Sequence, residues 1–241
     1  VVQTLTAGYE HLIDHVPGDV ALCNARGVHE ASTAELAVGL MIASLRGIPD
    51  FVRAQDQGRW LHQKREALAD KRVLILGYGS VGQAVAERLT PFEVELIPVA
   101  HHARQGVHAV TELGALLPSA DIVVVTVPLT PETTHLVDRE FLAQLANGAL
   151  LVNVARGQVV DTQALITELG SGRIRAAMDV TDPEPLPPEH PLWSLPNVLI
   201  SPHVGGNTSA FAPRAWRLVR DQVMRYYADK PLRNVVIEPH C

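Results

Sequence analysis

The sequence predicts a doubly wound parallel α/β sheet, on three observations. Residues 73–76 (VLIL), 122–127 (IVVVTV) and 149–154 (ALLVNV) are apolar runs with hardly a polar break, as strands buried on both faces require. Stretches with helical spacing separate these runs, so each strand returns through a crossover rather than a hairpin. The first run leads directly into Gly77-Tyr78-Gly79-Ser80-Val81-Gly82 and then into helix formers over 83–89, giving strand, glycine turn and helix.

With 241 residues, the chain suits one large or two modest domains. Hydrophobic residues make up 47% and charged residues 19%, the balance of an ordinary globular chain rather than a disordered one. A net charge of -6 leaves no basic footprint and argues against nucleic acid as a partner. Cys23 and Cys241 match no metal or redox spacing, so a reducing, cytoplasmic setting is expected and no metal. The longest apolar runs are strand-length or amphipathic, and neither a membrane anchor nor an export signal is read.

In chain order, residues 1–6 (VVQTLT) read as a strand with Ala7 and Gly8 as its turn, so the chain opens inside a domain. Residues 11–15 look like one helical turn and 20–23 like another short strand. His11 and His15 have the four-residue spacing of helix-borne metal ligands, but with no Glu or third ligand beside them they read as a solvated pair. Ser32 and Thr33 are candidate N-caps for a helix over 34–45, whose Ala, Leu and Met with almost no charge predict burial nearly all round. Such a helix suits an interdomain seat, a homodimer interface or a plain core position. Gly47 and Pro49 break it, and 50–58 continue as a polar helix ending at Gly58.

Beyond the glycine turn, 94–99 is the second strand, with Pro98 tolerated near its end. Pro128 and Pro131 end the strand over 122–127, and 133–145 read as turn then helix. Strands over 149–154, 176–180 and 198–201, with a helix over 162–170, complete six strands between residues 73 and 201. A long amphipathic helix over 208–227 sets Ala210, Ala215, Leu218, Val219, Val223 and Tyr226 on or near one face. The tail 231–237 is extended and is expected to dock on the domain of residues 1–24. The expected division is therefore 25–207 for the dinucleotide-binding domain, with 1–24 and 208–241 for a second one.

The glycines have separate tasks: a tight turn at Gly77, close approach of backbone to a pyrophosphate at Gly79, and helix-to-strand packing at Gly82. The helix start adds N–H groups and the positive end of its dipole, so the pattern in this context is a Rossmann-type dinucleotide site. Ligands of such sheets bind past the carboxyl ends of the strands, where three loops carry chemistry. Asn153-Val154-Ala155-Arg156-Gly157 offers a guanidinium fork for a carboxylate, or a surface ion pair. Asp179 begins a loop that fixes Glu184 between Pro183 and Pro185. Ser201-Pro202-His203-Val204-Gly205-Gly206 places a histidine, the side chain that titrates nearest neutrality, after the last strand.

NARG, DVTDPEP and SPHVGG, in that order behind Gly-x-Gly-x-x-Gly, resemble the D-isomer-specific 2-hydroxyacid dehydrogenases. The resemblance extends through TAGYEHL, TAELAVGLMIASLR, VPLTPET and HPLW, nearly the whole chain. It implies a flavodoxin-like second, substrate domain, and a hydride passed between NAD(P)H and a small 2-keto acid such as glyoxylate or hydroxypyruvate. Arg156 would grip the keto acid, His203 would pass the proton and Glu184 would orient His203, with Ala7 and Gly8 also at the substrate. Asp179 would lie near the nicotinamide carboxamide. Further cofactor contacts would come from Val127, Pro128 and Thr133, from Val154 and Ala155, and from Gly205 and Gly206.

NAD-selective members of that family place an acid at the end of the second strand, to hold the adenosine ribose. Here that position is Ala100, followed by His101, His102, Ala103 and Arg104. Without a carboxylate to repel it, a 2'-phosphate could be met by Arg104 and His101, so NADP is the expected cofactor, ahead of NAD. Full-length relatives also carry a first half-domain ahead of the segment matching Val1. Two other readings on the same fold are a nucleotide-sensing, corepressor-like binding protein and an inactive truncated homologue.

Overall fold

The computed structural model describes residues 1–239, so Cys241 lies outside the described residues. The chain opens with β1 (Val2–Gln3), a 3-10 turn at Glu10–His15 and β2 (Leu22–Cys23), which pairs in parallel with β1. Helices α1 (Glu30–Arg46) and α2 (Ile48–Asp56) lead to β3 (Arg72–Leu76), α3 (Ser80–Leu89), β4 (Glu95–Ala100) and β5 (His108–Ala109). There follow α4 (Leu113–Leu116), β6 (Ile122–Val125), α5 (Arg139–Ala143), β7 (Leu150–Asn153), α6 (Thr162–Gly170), β8 (Arg175–Met178) and β9 (Val198–Ile200). Helix α7 (Phe211–Tyr227) then returns the chain to the first sheet, where β10 (Val235–Ile237) pairs antiparallel with β2.

The larger sheet is all parallel, in the order β5-β4-β3-β6-β7-β8-β9, and so is doubly wound as expected. It has seven strands where the sequence predicts six. The extra one, β5, pairs only with Val99 and Ala100 and is too short to show a hydrophobic pattern. Along β3, Val73 and Ile75 face one side of the sheet and Leu74 and Leu76 the other, all at most 1% exposed. The unbroken apolar run is thus explained by two cores, one on each face.

Helix α1 sits in one of those cores. Its Ala34, Ala37, Met41 and Leu45 pack with Val73, Ile75, Val85 and Ala86, but Glu35 and Gly39 are exposed and Leu36, Ile42, Ala43 and Ser44 only partly buried, so the helix is buried on one side rather than nearly all round. Neither Ser32 nor Thr33 caps it. The N-cap is His29; Ser32 Oγ instead lies 2.7 Å from Thr208 Oγ1, and the Thr33 N–H donates to the His29 carbonyl. Gly47, at φ +63°, ends the helix as expected, and α1 and α2 bend by 65° there. Among the described residues no single helix is long and apolar enough to cross a membrane.

Residues 133–145 are turn then helix as expected, with Asp138 capping Arg139–Ala143 from its side chain, whereas the expectation for the last long helix is corrected. Helix α7 starts at Phe211, and its inward face is Phe211, Ala215, Leu218 and Gln222; Val223 and Tyr226 are exposed. Gln222 is buried because it bonds to Gln3 and to the Arg233 backbone, tying α7 to β1 and to the tail. The tail docks on β2 as predicted.

One row of paired residues crosses the sheet near its carboxyl edge: Val99, Leu76, Val125, Asn153, Met178 and Ile200. Gly77, Ala100, Val127, Arg156, Asp179 and His203 all follow this row within three residues. The strand register therefore gathers the candidate loops at one edge, with the glycine turn at the point between β3 and β6 where strand order reverses.

Candidate active site

Each glycine of the first loop meets its expected constraint. Gly77 has φ +103°, and a Cβ there would stand 2.7 Å from the Val127 nitrogen. A Cβ on Gly82 would fall 2.1 Å from the Gly77 carbonyl oxygen, so the helix rests directly on the turn. Nothing lies within 4 Å of the Cβ position of Gly79, which leaves open space where a phosphate needs close approach to backbone. Helix α3 begins at the next residue, Ser80. These residues fit a dinucleotide pyrophosphate. Val127 adjoins the turn, whereas the Thr133 hydroxyl is engaged within its own turn, donating to the Pro128 carbonyl at 2.6 Å. Val154 and Ala155 are buried, with side chains in opposite cores.

At the end of β4, Arg104 folds back over the glycine loop. Its Nη2 donates to the Tyr78 carbonyl at 2.8 Å and its guanidinium lies 5.8 Å from the Tyr78 ring centroid. His101 contacts His102, with 3.0 Å between ring nitrogens. A carboxylate not foreseen from the sequence is also near. Glu132 is held below its ordinary pKa chiefly by the Thr130 hydroxyl, with the charge of His101 a smaller cause.

The three chemical loops pack on one another. A Cβ on Gly157 would stand 1.9 Å from the Thr181 carbonyl oxygen, and Thr162 donates to the Asp182 carbonyl at 2.9 Å. This brings the arginine loop against the Glu184 loop. Asp179, 3% exposed, then joins the second loop to the third. Its Oδ1 accepts from Ser201 Oγ at 2.6 Å and the Val204 N–H at 3.0 Å, and its Oδ2 from the Gly205 N–H at 2.8 Å. So the residue expected beside the nicotinamide is first an anchor for the histidine loop.

His203 itself has φ +52°, a left-handed conformation that costs free energy for a residue with a Cβ. Its N–H donates to the Asp179 carbonyl at 2.7 Å, which holds it there. The result is that His203 Nδ1 meets Glu184 Oε1 at 2.5 Å, with both side chains partly open to solvent. Gly205 and Gly206 let the loop lie against α1, where a Cβ on Gly206 would stand 2.5 Å from His29 Nδ1.

Arg156 is positioned from both sheets. Asn153, at the end of β7, accepts from the Ala155 N–H and donates to the Arg156 carbonyl, each at 3.0 Å, which fixes the turn. The side chain donates from Nε to Glu10 Oε1 at 2.7 Å and from Nη1 to the Ala155 carbonyl at 2.7 Å. Its Nη2 lies over Gly8, whose Cβ position is 1.7 Å away, so a side chain there would displace the guanidinium. Gly8 thus lies against Arg156, and the Ala7 carbonyl accepts from Asn24 Nδ2.

Besides Glu132, the sequence did not single out Glu10 and Glu30. Burial pushes the Glu10 carboxyl up, but the bond to Arg156 and its charge outweigh this and leave the pKa below the ordinary value. Glu30 Oε1 accepts from Ser80 Oγ at 2.9 Å and from the Gly27 N–H at 2.7 Å, linking the glycine loop to the entry of α1. A Glu in TAGYEHL beside the Ala7-Gly8 turn was the only available signal for Glu10, and the sequence offered none for Glu30.

Residues 38–205 match the family model described as D-isomer specific 2-hydroxyacid dehydrogenase, NAD binding domain. A glyoxylate reductase/hydroxypyruvate reductase of Mus musculus is 36% identical over 222 residues, covering 86% of this chain and 68% of the relative. A D-3-phosphoglycerate dehydrogenase of Methanocaldococcus jannaschii is 34% identical, covering 92% of this chain but 44% of the relative. A D-isomer specific 2-hydroxyacid dehydrogenase of Xanthobacter autotrophicus Py2, solved in complex with NADPH and MES, superposes with a TM-score of 0.85 at 36% identity, covering 99% of this chain and 77% of the other.

Proposed function

We propose, since this chain belongs to the D-isomer specific 2-hydroxyacid dehydrogenase family of nicotinamide-dependent oxidoreductases, that it reduces a small 2-keto acid to the D-2-hydroxy acid, with NADPH preferred. Glyoxylate, hydroxypyruvate and pyruvate are the substrates in view. The observation that carries this reading is the His203–Glu184 contact at 2.5 Å, at the same sheet edge as Arg156 and the glycine loop.

The nicotinamide, when bound, supplies the hydride. The chain's own residues do the rest. Residues 77–82 hold the pyrophosphate, and Arg156, kept in place by Glu10 and the Ala155 carbonyl, presents its outward donors to the keto acid carboxylate. Hydride addition leaves charge on the carbonyl oxygen, and His203 delivers a proton to it from Nε2, because Nδ1 is committed to Glu184. Glu184 thereby sets the tautomer that remains, and Asp179 holds the loop that carries the ring.

Preference for NADPH is supported by Ala100, which offers the adenosine ribose no acceptor, and by Arg104 over the loop with His101 beside it. One charge-assisted contact to a 2'-phosphate contributes about 1.5–3 kcal/mol, roughly tenfold or more in kcat/KM. The test is nicotinamide absorbance with both cofactors against a panel of 2-keto acids, on wild type and Ala100→Asp. Turnover that favours NADPH in the wild type and shifts towards NADH in the variant is expected. A wild type preferring NADH overturns the cofactor assignment, and saturable nucleotide binding without turnover on any acid favours a nucleotide-sensing protein instead. We also propose a homodimer, with Trp60, 95% exposed in the segment 59–67, in its interface; sedimentation as a monomer at micromolar concentration overturns it.

A further inference from the structure

A cleft of about 790 Å³ lies where the chain crosses between the two sheets. One wall is the entry to α1 at Arg26, Gly27 and Val28, another is α7, and the third is the turn at Arg233 and Asn234 before β10. Five arginines line it, although the chain as a whole carries a net charge of -6. Arg214, Arg217 and Arg220 recur every three residues and so share one side of α7, where like charges repel unless something between them is negative. The one carboxylate in the lining, Asp221, is engaged by Arg225 at 3.0 Å and by Arg233. Among the described residues, Arg26, Arg214, Arg217 and Arg220 have no side-chain ion pair or hydrogen bond.

We propose that this arginine cleft binds a small anion carrying two or more phosphate groups. Planar guanidinium forks pair with phosphate oxygens bidentately, and four of them lining one cleft with no ion pair of their own match a multivalent anion better than a single carboxylate. The cleft also sits one contact from the nucleotide loop. The Gly27 N–H donates to Glu30, which holds Ser80 at the start of α3.

The test is a calorimetric titration with inorganic tripolyphosphate at fixed ionic strength, with sodium sulfate as the screening control. The variants are Arg217→Gln/Arg220→Gln, both exposed positions whose fold is checked by thermal melting, and Arg104→Gln as a marker of the glycine loop. Saturable binding of one tripolyphosphate is expected, weakened roughly tenfold or more in the double variant and kept in Arg104→Gln. Three results overturn the proposal: no saturable binding, binding lost in Arg104→Gln but kept in the double variant, or binding of a single-stranded oligonucleotide alone. If the double variant melts early, Arg26→Gln, outside any helix, takes its place, with the same loss expected.

Discussion

His203 is held in a left-handed conformation by the Asp179 carbonyl, and that constraint aims its ring at Glu184. A proton donor so placed touches no nucleotide in the proposed mechanism. His203→Ala is therefore expected to lower kcat by about 10² to 10⁴, while nicotinamide fluorescence titration returns a nearly unchanged affinity. Arg156 has the complementary role. Two of its donors are already fixed by Glu10 and Ala155, and an ammonium cannot reproduce the planar fork on the substrate side. Arg156→Lys should thus raise KM for the keto acid more than it lowers kcat. Unchanged steady-state constants would make Arg156 a structural residue joining the two sheets.

The glycine turn and α3 form a single packed unit, because Gly82 rests against the carbonyl of Gly77. Gly82→Ala puts a methyl 2.1 Å from a backbone oxygen that cannot swing away. Overpacking of this kind costs about 1–3 kcal/mol, and here it also displaces the helix start from the turn. A lowered Tm together with lost nucleotide binding is expected, and a variant binding NADPH like the wild type would show that α3 is free to shift. Gly79→Ala is the contrast, since its Cβ enters open space: stability should hold while nucleotide binding alone declines. Strand β3 and the glycine turn were legible because a buried strand and a tight turn are local patterns. The inward face of α7 was not, because Gln222 is buried by partners on β1 and the tail, and no hydropathy pattern predicts a buried glutamine.

Carboxylates that join remote parts of the chain make the molecule acid-sensitive. Burial is the largest influence on Glu10 and raises its pKa, but the bond to Arg156, its charge and backbone hydrogen bonds together hold it below the ordinary value, and Glu66 is lowered through its bond to Lys71, with burial opposing and Arg175 adding to the effect. Asp221 is lowered chiefly by Arg225. Since each folded pKa lies below the unfolded value, the stability they contribute is fully present above pH 4.5 for the glutamates and 3.8 for Asp221. It is lost as pH falls through the folded values. Melting temperature should be flat from neutrality down to about pH 5 and then decline. Glu10→Gln should show a shallower acid decline than the wild type, with a lower Tm at neutral pH; an identical pH profile would mean that the Glu10–Arg156 pair contributes nothing to stability.

The amino-acid sequence alone specified the doubly wound sheet, the glycine loop and the order of the arginine, glutamate and histidine loops. Each of these is written in residues adjacent along the chain: apolar runs, glycine spacing, prolines beside a carboxylate. It also determined that the candidate residues share one edge, since parallel strands joined by crossovers must all end on the same side. Which groups hold them follows from contacts between distant parts of the chain. Glu10 reaches Arg156 across 146 residues, Glu30 reaches Ser80 across 50, and Asp179 turns out to anchor the histidine loop. Such pairings depend on how the two sheets are set against each other, and a charge gives no periodic signal of its distant partner. The arginine cleft arises in the same way, from α7 and the α1 entry meeting at the crossing between the sheets.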